Sequence, residues 1–114
     1  MRLLALVVLT GAVDAGTPGP RYEDAESSVV LAKGTIAVQA KGRYHLNDDY
    51  PINFVPADGS KKVTKDQMGF TACVEHKDQR CGATVPVAAL GKGQLAFAVC
   101  DPDICLIKKV QLAP

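Results

Sequence analysis

Four cysteines are the residues of this chain whose types and spacing most directly suggest a chemistry. They fall into two neighbouring pairs, Cys73 with Cys81 and Cys100 with Cys105. Two thiols held together can form a disulfide, and a thiolate can attack one, so each pair is a candidate structural bridge or a candidate site of thiol–disulfide exchange. Four cysteines allow three pairings, and the spacing favours joining each cysteine to its nearest neighbour.

The later pair is separated by residues that favour a tight turn. Asp101-Pro102-Asp103 lies between Cys100 and Cys105, and such residues place a proline at the first corner and an aspartate as the cap. A hairpin turn would set the two cysteines opposite each other with Cα atoms about 4.5 Å apart, which permits a disulfide. Closing so short a loop constrains the unfolded chain by only about 2 kcal/mol, so the bond could open without unfolding the domain. On this evidence we interpret the pair as a structural bridge, because the aspartates between the two cysteines disfavour the thiolate that exchange requires. A redox-active pair is the alternative.

The earlier pair encloses the polar residues 74–80. We interpret Cys73 and Cys81 as a structural disulfide across a hairpin loop. The alternative is a zinc or copper site that would use the cysteines with His45 and His76. The chain has no Cys-x-x-Cys or His-x-x-x-His spacing, and disulfides would consume the thiols, so we expect neither a metal nor another cofactor.

The first residues have the layout of a secretory signal peptide. Arg2 precedes an unbroken apolar run over residues 3–9, and small residues follow up to Ala15. The run is too short to cross a bilayer core of about 30 Å as a helix. We therefore predict a signal peptide over residues 1–15, export to the periplasm or the extracellular space, and a mature chain without a membrane span. Disulfides persist in such compartments.

The length, charge and composition of the chain limit the classes of protein to which it can belong. A chain of 114 residues supports one domain. Its 13 basic and 12 acidic residues give a net charge of +1, which provides no electrostatic surface for nucleic acid. An apolar fraction of 47% is typical of a folded globular protein.

The pattern of apolar residues predicts strands. Residues 16–28 are rich in Gly, Pro, Ser and acidic residues, and they predict a flexible leader. From residue 29 onward, short runs of alternating apolar and polar residues are separated by turn residues. Pro86 interrupts one of these runs, which favours an edge strand there. The sequence therefore predicts an all-β fold, an immunoglobulin-like antiparallel β-sandwich over residues 29–114 behind a cleaved signal peptide.

Two stretches carry a resemblance to a known family. Residues 42–47 read Gly-Arg-Tyr-His-Leu-Asn, and residues 97–106 form an apolar strand that leads into Cys100 and Cys105. In these features the chain resembles the N-terminal immunoglobulin-like domain of bacterial DsbD-type thiol:disulfide interchange proteins. The resemblance implies that Cys100 and Cys105 are an exchange pair that accepts electrons from a thioredoxin-like or other exported redox protein.

Two functional hypotheses follow, and whether the chain is an enzyme stays open between them. The first is an exported domain that exchanges thiols and disulfides with partner proteins through Cys100 and Cys105. The alternative is a non-enzymatic secreted structural or protein-binding module with two inert disulfides. In that family an aliphatic or aromatic residue and then two prolines often follow the second cysteine, whereas residues 106–109 of this chain read Leu-Ile-Lys-Lys. We expect a separate partner to supply electrons. We interpret His45 as a packed side chain, and Lys108 and Lys109 as part of a solvated face.

Overall fold

The computed structural model describes residues 18–87 and 91–114. The predicted signal peptide over residues 1–15 lies outside these described residues. Among them, no helix is long and apolar enough to cross a membrane. The strands and the single described 3-10 helix are, in chain order, β1 (Arg21–Glu23), β2 (Ser27–Ala32), β3 (Thr35–Ala40), β4 (His45–Leu46), β5 (Asn53–Pro56), the 3-10 helix (Lys65–Gln67), β6 (Gly69–Ala72), β7 (Arg80–Pro86), β8 (Gly93–Cys100) and β9 (Cys105–Leu112).

The strands form an antiparallel all-β fold, and the predicted fold class is confirmed. Hydrogen-bonded neighbours run in the order β9-β8-β4-β7-β3-β2-β1, while β5 also pairs with β8 and β6 with β7. Gly19, just before β1, forms a bridge to Leu112 of β9, and the Ala113 N–H donates to the Gly19 carbonyl oxygen at 3.1 Å. The two ends of the sheet therefore meet, and the result is a nearly closed sandwich that is consistent with an immunoglobulin-like fold.

Alternation along the strands builds the core. In β3, Ile36, Val38 and Ala40 are buried, whereas Ala37 and Gln39 between them are exposed. β-Branched side chains such as Ile36 and Val38 suit this pleated, half-buried surface. The side chains of highest volume among the fully buried residues are Phe54 on β5 and Phe97 on β8. Each large apolar side chain buried in this way stabilises the fold by about 1.5–3 kcal/mol.

The strands begin earlier in the chain than the sequence predicts. The expectation of a flexible leader is wrong for residues 21–28, because β1 spans Arg21–Glu23 and β2 begins at Ser27. Polar contacts, which apolar periodicity does not reveal, hold this hairpin. The Asp24 carboxylate accepts the backbone N–H groups of Glu26 at 2.9 Å and Ser27 at 2.8 Å, and the Tyr22 hydroxyl at 2.6 Å.

The predicted edge position of Pro86 is also wrong. Its strand, β7, is central and pairs with β3, β4 and β6. Pro86 is tolerated because it is the last residue of β7 and lies opposite Thr35, the first residue of β3. Its missing N–H therefore leaves the middle of the ladder intact.

Candidate functional site

The β8–β9 hairpin places the later cysteine pair. Its register runs without interruption from Gly93 opposite Leu112 to Cys100 opposite Cys105. The two cysteines form a disulfide with their Cα atoms 4.0 Å apart. The predicted pairing of Cys100 with Cys105 and its position beside the turn of a hairpin are confirmed.

The turn that joins the two cysteines is organised by one carboxylate. Asp101 Oδ1 accepts the N–H groups of Asp103 and Ile104, both at 2.8 Å. Arg43 Nη2 lies 3.0 Å from Asp101 Oδ2. The hydrogen bonds from the Ile104 and Asp103 N–H groups lower the pKa of Asp101, and Arg43 lowers it further against the opposing effect of burial. A negative charge therefore stands directly after Cys100 in the chain.

The two sulfur-bearing residues differ in exposure. Cys100 is only 5% exposed, whereas Cys105 is exposed to solvent. Asn47 Nδ2 lies 3.8 Å from the Cys105 sulfur, and the Asn47 backbone N–H donates to the Ala98 carbonyl oxygen at 2.9 Å. On the other side, His45 lies opposite Cys100 in the β4–β8 pairing. A thiolate arriving from solvent therefore reaches Cys105 more easily than Cys100.

A shallow depression adjoins this site. Asn47 lines it together with Ile52, Phe70 and Arg80. The Arg80 guanidinium carbon lies 4.2 Å from the centroid of the Phe70 ring, and Arg80 Nη1 lies 3.5 Å from a carboxylate oxygen of Asp48. This depression could not be predicted from local sequence patterns, because its residues come from segments that are distant along the chain.

The earlier cysteine pair also forms its predicted disulfide. Cys73 and Cys81 are bonded with their Cα atoms 4.8 Å apart, and Cys73 is 7% exposed. The Cys81 sulfur lies 3.7 Å from the Tyr44 carbonyl oxygen. Since His45 faces Cys100, the two disulfides lie on either side of the Tyr44–His45 dipeptide.

The alternative of a metal site finds no support among residues 18–87 and 91–114. No group of three or more His, Cys, Asp or Glu side chains in these ranges is arranged to hold an ion. All four cysteines are bonded in disulfides, so their sulfurs are not thiolate ligands.

A second charged cluster ties β9 to the first hairpin. Lys108 Nζ lies 2.9 Å from Asp24 Oδ2 and 2.8 Å from Glu26 Oε1, and the Lys108 side chain is 14% exposed. Burial opposes ionisation of Asp24, but hydrogen bonds from Lys108, Tyr22 and the backbone outweigh it and lower the pKa of Asp24 to about 2. Burial likewise opposes the charge on Lys108, and its two carboxylate partners still raise its pKa. The prediction of a solvated Lys108 is therefore wrong.

Comparisons with protein-family models, with curated proteins and with solved structures find no match to this chain.

Proposed function

We propose that this protein exchanges thiols and disulfides with partner proteins through Cys100 and Cys105. The observation that carries the proposal is the asymmetry of the bond, in which the exposed Cys105 is joined to the buried Cys100 at the turn end of a hairpin. Exchange requires a sulfur that a partner can reach and a bond whose opening leaves the domain folded.

The exchange can be written with atoms and electrons in balance. A thiolate of a partner dithiol attacks the Cys105 sulfur, which forms a mixed disulfide and breaks the Cys100–Cys105 bond. The electron pair of the broken bond goes to the Cys100 sulfur, which then takes a proton from solvent. The second thiolate of the partner attacks the partner's own sulfur in the mixed disulfide and releases Cys105 as a thiolate. The partner dithiol is oxidised and the Cys100–Cys105 disulfide is reduced.

The hairpin supports the reduced state as well as the oxidised state. β8 and β9 are paired along their whole length by backbone hydrogen bonds, and Leu95, Phe97 and Val99 of β8 are fully buried in the core, so neither interaction depends on the disulfide. The bond itself joins residues only five positions apart, so it constrains the unfolded chain by about 2 kcal/mol. Opening it therefore leaves the two sulfurs facing each other, ready to reform the disulfide.

The proposal extends to the compartment and the partner. We place the protein outside the cytosol, in the periplasm or the extracellular space, because its two disulfides need an oxidising environment. The partner would be an exported thioredoxin-like protein or another exported redox protein, since the exchange needs a dithiol in the same compartment.

The surroundings of Cys100 favour a second candidate function, a structural or protein-binding domain with two inert disulfides. Cys100 is buried and is followed by the ionised Asp101, and both features disfavour the Cys100 thiolate that exchange must release. The two candidates differ in whether a partner thiol can open the bond in the folded protein.

Two assays test the asymmetry of the bond and its opening in the folded protein. Cys100→Ala leaves an exposed thiol on Cys105, and Cys105→Ala leaves a buried thiol on Cys100. In the first assay, mass spectrometry measures the rate at which each single variant forms a mixed disulfide with oxidised glutathione. We expect this rate to be at least tenfold higher for Cys100→Ala than for Cys105→Ala. Reduced glutathione tests the opening of the intact bond. We expect it to form a mixed disulfide with Cys105 of the wild type, and at an equal rate with a matched Cys73→Ala/Cys81→Ala variant, which keeps the later pair intact. Equal trapping of the two single variants would contradict the asymmetry, and a folded wild type that does not react with reduced glutathione would identify the inert domain.

A further inference from the structure

Among residues 18–87 and 91–114, no strand pairs with the outer edge of β9 beside Cys105. β9 ends the order of the described strands, and the bridge that these residues form on its outer side lies at its carboxyl end, between Gly19 and Leu112. Within the described ranges, no residue pairs with this edge between Cys105 and Val110. A free edge exposes a row of backbone N–H and C=O groups that can accept another strand.

The register shows which residues supply those groups. The Asp101 N–H donates to the Ile104 carbonyl oxygen, so Ile104 directs its backbone groups toward β8. Because these directions alternate along an antiparallel strand, Cys105, Ile107 and Lys109 direct their N–H and C=O groups outward. The Ala113 N–H, which has the same parity, indeed reaches Gly19. The exposed Cys105 therefore also directs outward an N–H and a C=O group that no described residue pairs.

The side chains along this edge have a definite chemistry. Cys105, Ile107 and Lys109 are all exposed, with Ile107 at 58%. Ile104, next to Cys105 at the turn, is 52% exposed. Lys109 makes no ion pair with any described residue, unlike its neighbour Lys108. The edge thus presents a sulfur, an apolar side chain and a cation at successive outward positions.

We propose that an extended, cysteine-containing segment of the partner docks on this edge as an additional antiparallel strand. This inference rests on the proposed exchange function and names the form of its substrate. A residue directly opposite Cys105 would form a hydrogen-bonded pair with a Cα separation of about 5.5 Å, which lies at the usual spacing of disulfides. The backbone of the segment thereby brings its cysteine to the Cys105 sulfur.

The antiparallel direction also fixes the order of the segment's side chains. With its cysteine opposite Cys105, the residue two positions earlier lies opposite Ile107, and the residue four positions earlier lies opposite Lys109. An aliphatic or β-branched side chain suits Ile107, and a carboxylate suits Lys109. The preferred segment therefore reads acidic-x-aliphatic-x-Cys.

Peptide and small-thiol substrates test this docking on the intact, oxidised protein. The probes are a capped Glu-Thr-Val-Thr-Cys peptide, its Lys-Thr-Val-Thr-Cys counterpart and glutathione, and mass spectrometry measures the rate of mixed-disulfide formation. Ile107→Pro removes an outward N–H without removing a bond to β8, and Ile107→Thr is the matched control that keeps the N–H. We expect Ile107→Pro to slow mixed-disulfide formation with the acidic peptide about tenfold and to change the rate with glutathione less than twofold. Ile107→Thr should slow the reaction with the acidic peptide less than Ile107→Pro does.

A charge exchange gives a second readout that leaves the backbone unchanged. Lys109→Glu should slow mixed-disulfide formation with the acidic peptide severalfold and accelerate it with the lysine peptide, each compared with the rate for glutathione. Should Ile107→Pro slow peptide and glutathione equally, or should Lys109→Glu leave the peptide preference unchanged, docking on this edge is wrong while exchange stands. If neither peptide nor glutathione opens the bond in the wild type, the proposed function and the docking both fail.

Discussion

Replacing Lys108 with methionine removes the cation that joins β9 to the first hairpin and keeps most of the aliphatic length. Asp24 and Glu26, with side chains 22% and 24% exposed, would lose their shared partner. The lowering of the Asp24 pKa from 3.8 to about 2 corresponds to about 2 kcal/mol at most. Solvent screening at these partly exposed groups reduces the expected loss to about 1–2 kcal/mol at pH 7.

The pH dependence of this loss is specific. The Asp24 pKa is lower in the folded state, so its contribution is present above pH 4 and is lost as the pH falls through about 2. The difference between Lys108→Met and the wild type should therefore be largest above pH 4 and should shrink toward pH 2. Urea unfolding followed by far-ultraviolet circular dichroism measures it, since the chain has no tryptophan.

The neighbouring lysine provides a matched control. Lys109 is exposed and forms no ion pair with a described residue, so Lys109→Met should change the free energy of unfolding by less than about 0.5 kcal/mol. Two results would refute the reasoning: equal destabilisation by the two variants, or a Lys108→Met effect that stays constant from pH 6 to pH 2.

Three further predictions concern the core, a close backbone approach and the turn. Phe97 is fully buried, so Phe97→Ala should lower the free energy of unfolding by about 3–5 kcal/mol in urea titrations. A Cβ on Gly93 would collide with the Val55 carbonyl oxygen, whereas one on Gly59 meets only open space. Gly93→Ala should therefore lower the melting temperature more than Gly59→Ala, which costs only its positive-φ strain. Removing the carboxylate beside Cys100 should raise the thiolate fraction of the reduced pair, so iodoacetamide should alkylate Asp101→Asn severalfold faster than the wild type at pH 7. A slower or unchanged rate would contradict that effect.

The features that could be predicted from the sequence depend on local signals. Asp101-Pro102-Asp103 specifies a turn within a few residues, so it placed Cys100 opposite Cys105 correctly. Alternation of apolar and polar residues, as in β3, likewise identified strands and the fold class.

The features that could not be predicted depend on contacts between distant parts of the chain. Lys108 is separated from Glu26 by 82 positions, and Asn47 from Cys105 by 58. Alternation along β9 places Lys108 on the face of Val110, but no local pattern reveals that carboxylates of the distant first hairpin pair with it. The first hairpin was missed for a related reason, because Asp24 holds it through polar bonds.

The reduction potential of the Cys100–Cys105 bond in the folded protein tests the exchange proposal most directly. Equilibration in glutathione buffers, with mass spectrometry of alkylated thiols, reports each disulfide separately. We expect Cys100–Cys105 to open at a potential well above about −300 mV while Cys73–Cys81 stays oxidised and the far-ultraviolet spectrum stays unchanged. A potential below about −300 mV, or opening only together with unfolding, would contradict exchange and identify both bonds as structural.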